Sequence, residues 1–157
     1  MVQKTQASRM EKKQAEKLEK QRLAHEKEML RLESMYVYER QAYQQGHRIV
    51  AGIDEAGRGP LAGPVVAACV ILPENCLISG VNDSKKLSAD KREKLYDIII
   101  EKAVSVGVGI IDEKTIDEIN ILNATKLAMK KAVERVKPVP DFLLVDAVKL
   151  DEIDIAQ

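Results

Sequence analysis

The chain has few aromatic residues, only two cysteines and no long apolar run. Only 3% of its 157 residues are aromatic and none is tryptophan, so the core has to be built from aliphatic side chains. Its two cysteines, Cys69 and Cys76, have no second Cys or His pair that would complete a zinc site, which predicts free thiols. No apolar run approaches the ~20 residues that cross a bilayer, and the N-terminus lacks the apolar segment of a signal peptide. We therefore expect a cytoplasmic protein with no membrane partner.

Charge and length leave the function open but limit the size of the fold. Lysine and arginine total 25, as do aspartate and glutamate, so the net charge neither favours nor excludes a nucleic-acid partner. A length of 157 residues predicts one folded domain of ordinary size with a core of its own.

The first 45 residues contain no glycine and no proline, and residues that favour helices dominate them. They predict one long helix that ends near Gln45. Apolar residues are sparse as far as Lys20 and become frequent from Leu23 onward, which indicates that only the C-terminal half of the helix docks. We expect a helical N-terminal extension, residues 1–46, ahead of a domain formed by residues 47–157. A dimerising coiled coil is the alternative.

The rest of the chain alternates apolar runs with helical patterns, which predicts a mixed α/β sheet with flanking helices. The predicted strands cover residues 49–53, 64–73, 104–111 and 142–148. One predicted helix follows the N-cap Ser88, and a second covers residues 113–118. A third covers residues 121–136 with Asn120 as its cap, and one of its faces carries a stripe of small and apolar residues: Ile121, Ala124, Ala128, Ala132 and Val136. We expect the second and fourth strands to be buried on both faces, because their apolar runs are continuous.

Three carboxylates occupy unusual places in this pattern. Asp54 and Glu55 follow the first apolar run and precede a Gly-Arg-Gly loop, and Asp146 lies in the middle of the last apolar run. A carboxylate in an apolar strand is costly unless it is paired, hydrogen-bonded or bound to a metal. A solvated strand end closed by a glycine turn is the simpler interpretation of the Asp-Glu pair. The functional interpretation requires the first strand to end or bulge there, so that both side chains reach one site.

If Asp54 and Asp146 lie on adjacent central strands, their carboxylates and that of Glu55 converge. Three oxygen donors with no His or Cys beside them suit Mg²⁺ or Mn²⁺ rather than zinc. A pair of such ions can bind the attacking and leaving oxygens of a phosphodiester, so this set of residues indicates phosphoryl-transfer chemistry.

Four stretches, GIDEAGRGPLAGPVVAA, NDSKKLS, NATKLAMKKAV and LLVDA, closely resemble bacterial ribonuclease HII, in matching order over roughly residues 48–150. The resemblance implies a ribonuclease H-like mixed sheet. It also implies a hydrolase of replication and repair, an endoribonuclease that cuts the RNA strand of RNA/DNA hybrids and cuts 5′ of ribonucleotides embedded in duplex DNA. The family uses Mg²⁺ or Mn²⁺ and leaves a 5′ phosphate and a 3′ hydroxyl.

By the same resemblance, Asp54, Glu55 and Asp146 are three of the family's four metal-binding, catalytic carboxylates. Two further groups of residues are implied to bind substrate. The backbone of the Gly-Arg-Gly loop contacts the ribose 2′-OH, and a second loop contacts phosphates. In this chain these residues are Gly57, Arg58 and Gly59 in the first loop, and Asn82, Ser84 and Lys85 in the second.

The chain departs from the family pattern after Asp146. The family's fourth aspartate, the helix after it and a tyrosine that stacks at the ribonucleotide junction have no counterpart here. The sequence therefore looks like a family member cut off before that aspartate. This predicts weak metal affinity and little or no hydrolysis by the chain alone.

Three other functions compete with this interpretation. A metal-free nucleotide-binding module would use the glycine turn as a phosphate loop, although neither common phosphate-loop spacing is present. A helical interaction protein would act through residues 1–46. Other nucleases and transposases of the ribonuclease H fold also use acidic residues on adjacent strands, but the Gly-Arg-Gly loop argues against them. For the ribonuclease we expect a monomer.

Overall fold

The computed structural model describes the backbone of residues 2–59, 63–146 and 148–157, and the side chains of these ranges except those of residues 2–9 and 11. Within these ranges, four helices and four strands follow one another. In order they are α1 (Val2–Met35), α2 (Val37–Gln44), β1 (Val50–Ala56), β2 (Val65–Ile71), α3 (Ala89–Lys102), β3 (Ser105–Ile111), α4 (Glu113–Glu134) and β4 (Phe142–Val145), with a short 3₁₀ turn at Ser84–Lys86. No helix in these ranges is both long and apolar enough to cross a membrane.

The four strands form one mixed sheet, as the sequence predicts, and their order is β3-β2-β1-β4. Among the described strands β4 is therefore outermost, whereas a central position was expected for it. Strand β1 pairs antiparallel with β2 and parallel with β4, and β2 pairs antiparallel with β3. The neighbours of β1 are therefore the strand that follows it along the chain and the strand that ends beside Asp146.

Helix α4 covers one face of the sheet and builds the core there. Its predicted alanine stripe is confirmed, because Ala124, Ala128 and Ala132 are completely buried. Two glycines of β3 allow the close approach: a Cβ on Gly109 would collide with the carbonyl oxygen of Ala128, and one on Gly107 with that of Ala132. Small residues on both elements thus bring helix and strand into backbone contact.

Asn120 divides α4 into the two helical segments that the sequence predicts. Its φ of 66° and ψ of 164° are not helical, and its side-chain oxygen accepts a hydrogen bond from the Asn123 N–H at 3.1 Å. The second segment ends at Glu134, two residues earlier than predicted.

Two predictions about strands are wrong. Residues of β2 alternate between buried and half-buried positions, because α4 covers only the face that carries Val65, Ala67, Cys69 and Ile71. Strand β4 ends at Val145, so Asp146 lies just after the strand and is exposed, rather than buried in its middle. The expected cost of burying that carboxylate therefore does not arise.

The N-terminal helix is interrupted at Tyr36, where one long helix was expected. Tyr36 is buried to 9% exposure, and its hydroxyl oxygen accepts a hydrogen bond from the Asn75 N–H at 2.8 Å. Burial begins in the C-terminal half, where Leu32 and Ala42 are buried, but it is less extensive than expected. Leu23, Leu30 and Tyr38, which belong to the apolar residues expected to dock, are exposed. The interruption thus coincides with a tertiary contact of Tyr36, although the sequence by itself favours one continuous helix.

Candidate active site

Strand β1 holds Asp54 and Glu55 within its paired length. Asp54 lies opposite Ala68 and Glu55 opposite Ala67, and pairing with β2 continues to Ala56. The strand neither ends nor bulges at the two acids, which corrects the expectation from the sequence. Side chains alternate along a regular strand, so Asp54 and Glu55 leave the backbone of β1 on opposite sides. Their carboxylates nevertheless approach each other, since a side-chain hydrogen bond with Glu55 is among the causes that raise the pKa of Asp54.

Asp54 and Asp146 lie beside each other at the end of the parallel pairing between β1 and β4. Parallel pairing of β1 with β4 runs as far as Ile53 opposite Val145. The residue that follows each of these two is an aspartate. Both aspartates are exposed. The carboxyl ends of parallel strands are where open α/β sheets bind their ligands. The predicted adjacency of the two strands is thus confirmed.

The surroundings of Asp54 concentrate negative charge. Although this side chain reaches solvent, partial loss of hydration raises the pKa of Asp54, and the charges of Glu55 and Asp146 raise it further. A hydrogen bond from the Glu55 N–H to Asp54 Oδ1, at 2.8 Å, acts in the opposite direction. Asp54 is therefore close enough to both neighbouring acids to feel their charge.

Glu55 is turned toward the glycine loop. Its Oε1 atom accepts a hydrogen bond from Arg58 Nη1 at 2.9 Å, and only 14% of its side chain is exposed. Across the residues that the structure describes, no three His, Cys, Asp or Glu side chains come together as a metal site. The expected convergence of all three carboxylates is therefore not observed; Asp54 and Asp146 form a pair, and Arg58 neutralises Glu55.

The loop after β1 depends on Gly57. This residue has a φ of +95°, which L-residues with side chains rarely adopt, and a Cβ here would lie 2.5 Å from the Pro64 carbonyl oxygen. The following residues, Arg58 and Gly59, are exposed. The Gly-Arg-Gly backbone is therefore accessible next to the carboxylates. Residues 60–62, which complete the GRGPLAGP stretch, lie outside the described part of the chain.

The second predicted substrate loop forms a compact, exposed turn. Asp83 caps it by accepting a hydrogen bond from the Lys85 N–H at 3.0 Å, and its own N–H donates to Asn82 Oδ1 at 2.9 Å. Asn82, Ser84 and Lys85 are all exposed. Among the described residues, no hydrogen bond or ion pair connects this turn to the three carboxylates.

The donor set fits a hard divalent cation at the Asp54–Asp146 pair. Both residues offer carboxylate oxygens, neither is paired with a basic side chain among the described residues, and both reach solvent. Mg²⁺ is commonly held by one or two carboxylates with waters and substrate phosphates completing its shell. Two acids therefore suffice for one weak site, and Glu55 joins it only if it leaves Arg58.

Sequence reasoning missed the residue that aligns the two strands. The carboxylate of Asp141 accepts hydrogen bonds from the Arg48 and Ile49 N–H groups at 2.8 and 3.0 Å. Asp141 immediately precedes β4, and Ile49 immediately precedes β1. These two hydrogen bonds fix the start of β1 against the start of β4, in the register that places Asp54 beside Asp146. An aspartate between a proline and an apolar run resembles an ordinary turn residue, so nothing in the sequence distinguished it.

The mixed sheet, with Asp54 and Asp146 side by side where β1 and β4 stop pairing, is typical of the ribonuclease H-like class of proteins. Solved structures of that class have a similar fold. The chain is similar to the ribonuclease H2 from Pyrococcus horikoshii OT3, with a TM-score of 0.57 and 32% identity, covering 65% of this chain and 52% of that one. It is similar in fold to Bst-RNase HIII in complex with Mn²⁺, with a TM-score of 0.54 and 24% identity, covering 71% of this chain and 41% of that one.

The chain belongs to the ribonuclease HII family, whose sequence model, described as "Ribonuclease HII", matches residues 51–156. It is 63% identical over 142 residues to a ribonuclease HII of Acetivibrio thermocellus, covering 90% of this chain and 56% of the relative. It is 58% identical over 133 residues to one of Ruminiclostridium cellulolyticum, covering 85% and 52%. The chain thus spans about half the length of these relatives.

Proposed function

We propose that this chain carries the substrate-selecting and metal-binding part of an endoribonuclease, which hydrolyses the RNA strand of RNA/DNA hybrids and cuts 5′ of ribonucleotides embedded in duplex DNA. The observation that carries the proposal is the Asp54–Asp146 pair, which lies where the parallel pairing of β1 with β4 stops, next to the exposed Gly-Arg-Gly loop. Membership of the ribonuclease HII family supports it. The cytoplasm is the expected location and a monomer the expected state.

Asp54 and Asp146 would hold a Mg²⁺ or Mn²⁺ ion, with Glu55 as the third candidate ligand. Such an ion, when bound, supplies a Lewis acid beside the scissile phosphate. The protein's own part is to place two carboxylates at fixed positions, through β1 and β4. The ion pair of Glu55 with Arg58 keeps the third carboxylate next to the glycine loop, within the same segment of chain.

The Gly-Arg-Gly loop is proposed to select RNA. The 2′-OH is the group that distinguishes RNA from DNA at a given site, and it both donates and accepts hydrogen bonds. Peptide groups flanked by glycine can approach a ribose closely because no side chain intervenes. Gly57 and Gly59 therefore provide backbone contacts to the 2′-OH, while Arg58 holds Glu55. Asn82, Ser84 and Lys85 are proposed to contact phosphates from the second loop.

The first test measures Mn²⁺ binding by calorimetry, for the chain and for Asp54→Asn, Asp146→Asn and Asp97→Asn. Asp97 is an exposed acid on α3 and serves as the matched control. We expect weak binding by the parent chain and by Asp97→Asn, and a loss of about tenfold or more in the other two, because each removes one of two anionic ligands. Equal binding by all four proteins would exclude the metal site.

The second test measures cleavage of a duplex that contains one ribonucleotide, with Mn²⁺ present. The chain alone is compared with a chimera that continues into the C-terminal half of the Acetivibrio thermocellus relative. We expect little cleavage by the chain, since its described residues gather no three acids into a metal site. The chimera should cut 5′ of the ribonucleotide, and Asp54→Asn should abolish this while Asp97→Asn should not. Rapid cutting by the chain alone would contradict the account of its metal site.

A further inference from the structure

An ion pair on α1 holds the backbone of the loop that leads to Asn82. Arg31 Nε and Nη2 donate to the two carboxylate oxygens of Glu28 at 2.8 and 2.7 Å. Glu28 Oε1 also accepts a hydrogen bond from the Gly80 N–H at 2.9 Å, and Arg31 Nη2 donates to the Val81 carbonyl oxygen at 2.9 Å. One ion pair therefore binds an N–H and a C=O on successive residues of the loop.

The geometry of this pair is restrictive. The planar guanidinium fork of Arg31 fixes the carboxylate of Glu28 in two hydrogen bonds, so neither group is free to follow a moving loop. The hydrogen bond from Arg31, followed by that from the Gly80 N–H, lowers the pKa of Glu28 to about 2. Gly80 has a φ of +86°, which a residue with a side chain would resist. The loop is thus locked to α1 at one turn.

The phosphate-contacting segment begins immediately after this turn. Asn82 follows Val81, and the segment closes with Lys85 in the 3₁₀ turn. On its other side, Arg92 of α3 donates a hydrogen bond to the Ser84 carbonyl oxygen at 3.2 Å. The segment is therefore held at its upstream end by α1 and at its downstream end by α3, while its own side chains remain exposed.

We propose that Glu28 and Arg31 are positioning residues for substrate binding: through Gly80 and Val81 they hold Lys85 where it meets the phosphate backbone of the duplex. This inference rests on the proposed function, in which Lys85 contacts phosphate. Neither Glu28 nor Arg31 touches the substrate. Their loss should weaken binding through Lys85 and leave the carboxylate pair unchanged.

The test compares Glu28→Gln with Glu26→Gln, an exposed position on the same helix that undergoes the same change of charge. Affinity for a labelled RNA/DNA hybrid is measured by fluorescence anisotropy with the full chain, at several KCl concentrations and without divalent metal. Removing an acid by itself should leave binding unchanged or strengthen it, as we expect for Glu26→Gln. We expect Glu28→Gln to bind about 3- to 10-fold more weakly, against that trend.

The salt dependence and a double mutant identify the route of the effect. Lys85→Ala should weaken binding and make the slope of log affinity against log salt shallower by about one, as the loss of one phosphate contact predicts. Glu28→Gln should reduce the slope in the same way. In the Lys85→Ala background, Glu28→Gln should cause no further loss, because the contact it positions is already absent.

Three results would overturn the proposal. If Glu28→Gln binds as Glu26→Gln does while Lys85→Ala weakens binding, only the positioning role fails. If Glu28→Gln weakens binding equally in both backgrounds, it acts elsewhere than through Lys85. If Lys85→Ala has no effect, the phosphate contact itself fails, and the positioning role fails with it. Arg31→Gln, which removes the other half of the pair, should reproduce Glu28→Gln, and thermal melts show whether every variant is folded at the assay temperature.

Discussion

The backbones of helix α4 and strand β3 are in contact at the glycines of β3. Adding one methyl group at Gly109 tests how close this packing is. At Gly109 a Cβ would collide with the Ala128 carbonyl oxygen, would lie 2.8 Å from the Ala128 carbonyl carbon, and would lie 3.0 Å from the Ala132 nitrogen. All three atoms belong to the helix backbone, which cannot rotate away as a side chain does. Gly109→Ala therefore requires the helix or the strand to move.

The expected magnitude comes from two opposing terms. Replacing a strand glycine with alanine restricts the unfolded chain, which favours the folded state by about 0.5–1 kcal/mol. Overpacking costs about 1–3 kcal/mol, and a collision with backbone belongs at the upper end. We expect a net loss of about 2 kcal/mol in the free energy of unfolding. For a chain of this length that lowers Tm by about 4–8 °C.

Gly52→Ala provides the matched control. Gly52 lies in β1, on the face away from α4, and a Cβ there meets no atom within 4 Å. This variant should be unchanged or slightly more stable than the parent chain. Thermal and urea unfolding, followed by circular dichroism, compare the two. If Gly109→Ala unfolds within about 0.5 kcal/mol of Gly52→Ala, the close contact of α4 with β3 does not exist and the packing argument is refuted.

Two further outcomes follow from the hydrogen bonds at the strand starts and on α1. Asp141→Ala removes the acceptor of the Arg48 and Ile49 N–H groups and should lower the free energy of unfolding by about 1 kcal/mol. The loss would appear as a lower urea midpoint. An unchanged midpoint would show that these hydrogen bonds do not stabilise the pairing of β1 with β4. Because the pKa of Glu28 is lowered from 4.5 to about 2, its contribution to stability is fully present above pH 4.5 and is lost as the pH falls toward 2. The parent chain should therefore lose more Tm than Glu28→Gln across that range, and parallel pH profiles would contradict the ion pair.

Position along the chain and local pattern were sufficient for much of the site. The apolar run before Asp54, the Gly-Arg-Gly loop and the apolar run around Asp146 predicted two acid-bearing strands that could be neighbours, with Asp54 at the end of one strand and Asp146 in the middle of the other. A carboxylate in an apolar strand is costly unless it is paired, hydrogen-bonded or bound to a metal, so these acids stood out as candidates, whereas the neighbouring of the two strands is shown by their pairing. The alanine stripe of α4 was equally predictable, since its spacing of four residues places the small side chains on one helix face.

The length of each element was less predictable from the sequence. Strand β1 continues through Glu55 because β2 offers hydrogen-bonding partners as far as Ala56, and β4 stops at Val145 although the apolar pattern continues. Pairing depends on the neighbouring strand, which local pattern does not describe. The side to which Glu55 points follows from that pairing, and with it the ion pair to Arg58.

By itself, therefore, the sequence determined the mixed sheet, the family, and the acids and glycines that give the candidate site its chemistry, because these depend on residue type and short-range periodicity. Only the tertiary structure decided which of those residues meet. Three features require contacts between distant segments. They are the placing of Asp54 beside Asp146, the contact of Tyr36 with Asn75, and the hydrogen bond from Arg31 of α1 to Val81, 50 residues away. Such contacts form where packing brings the segments together, and no local pattern of residues encodes them.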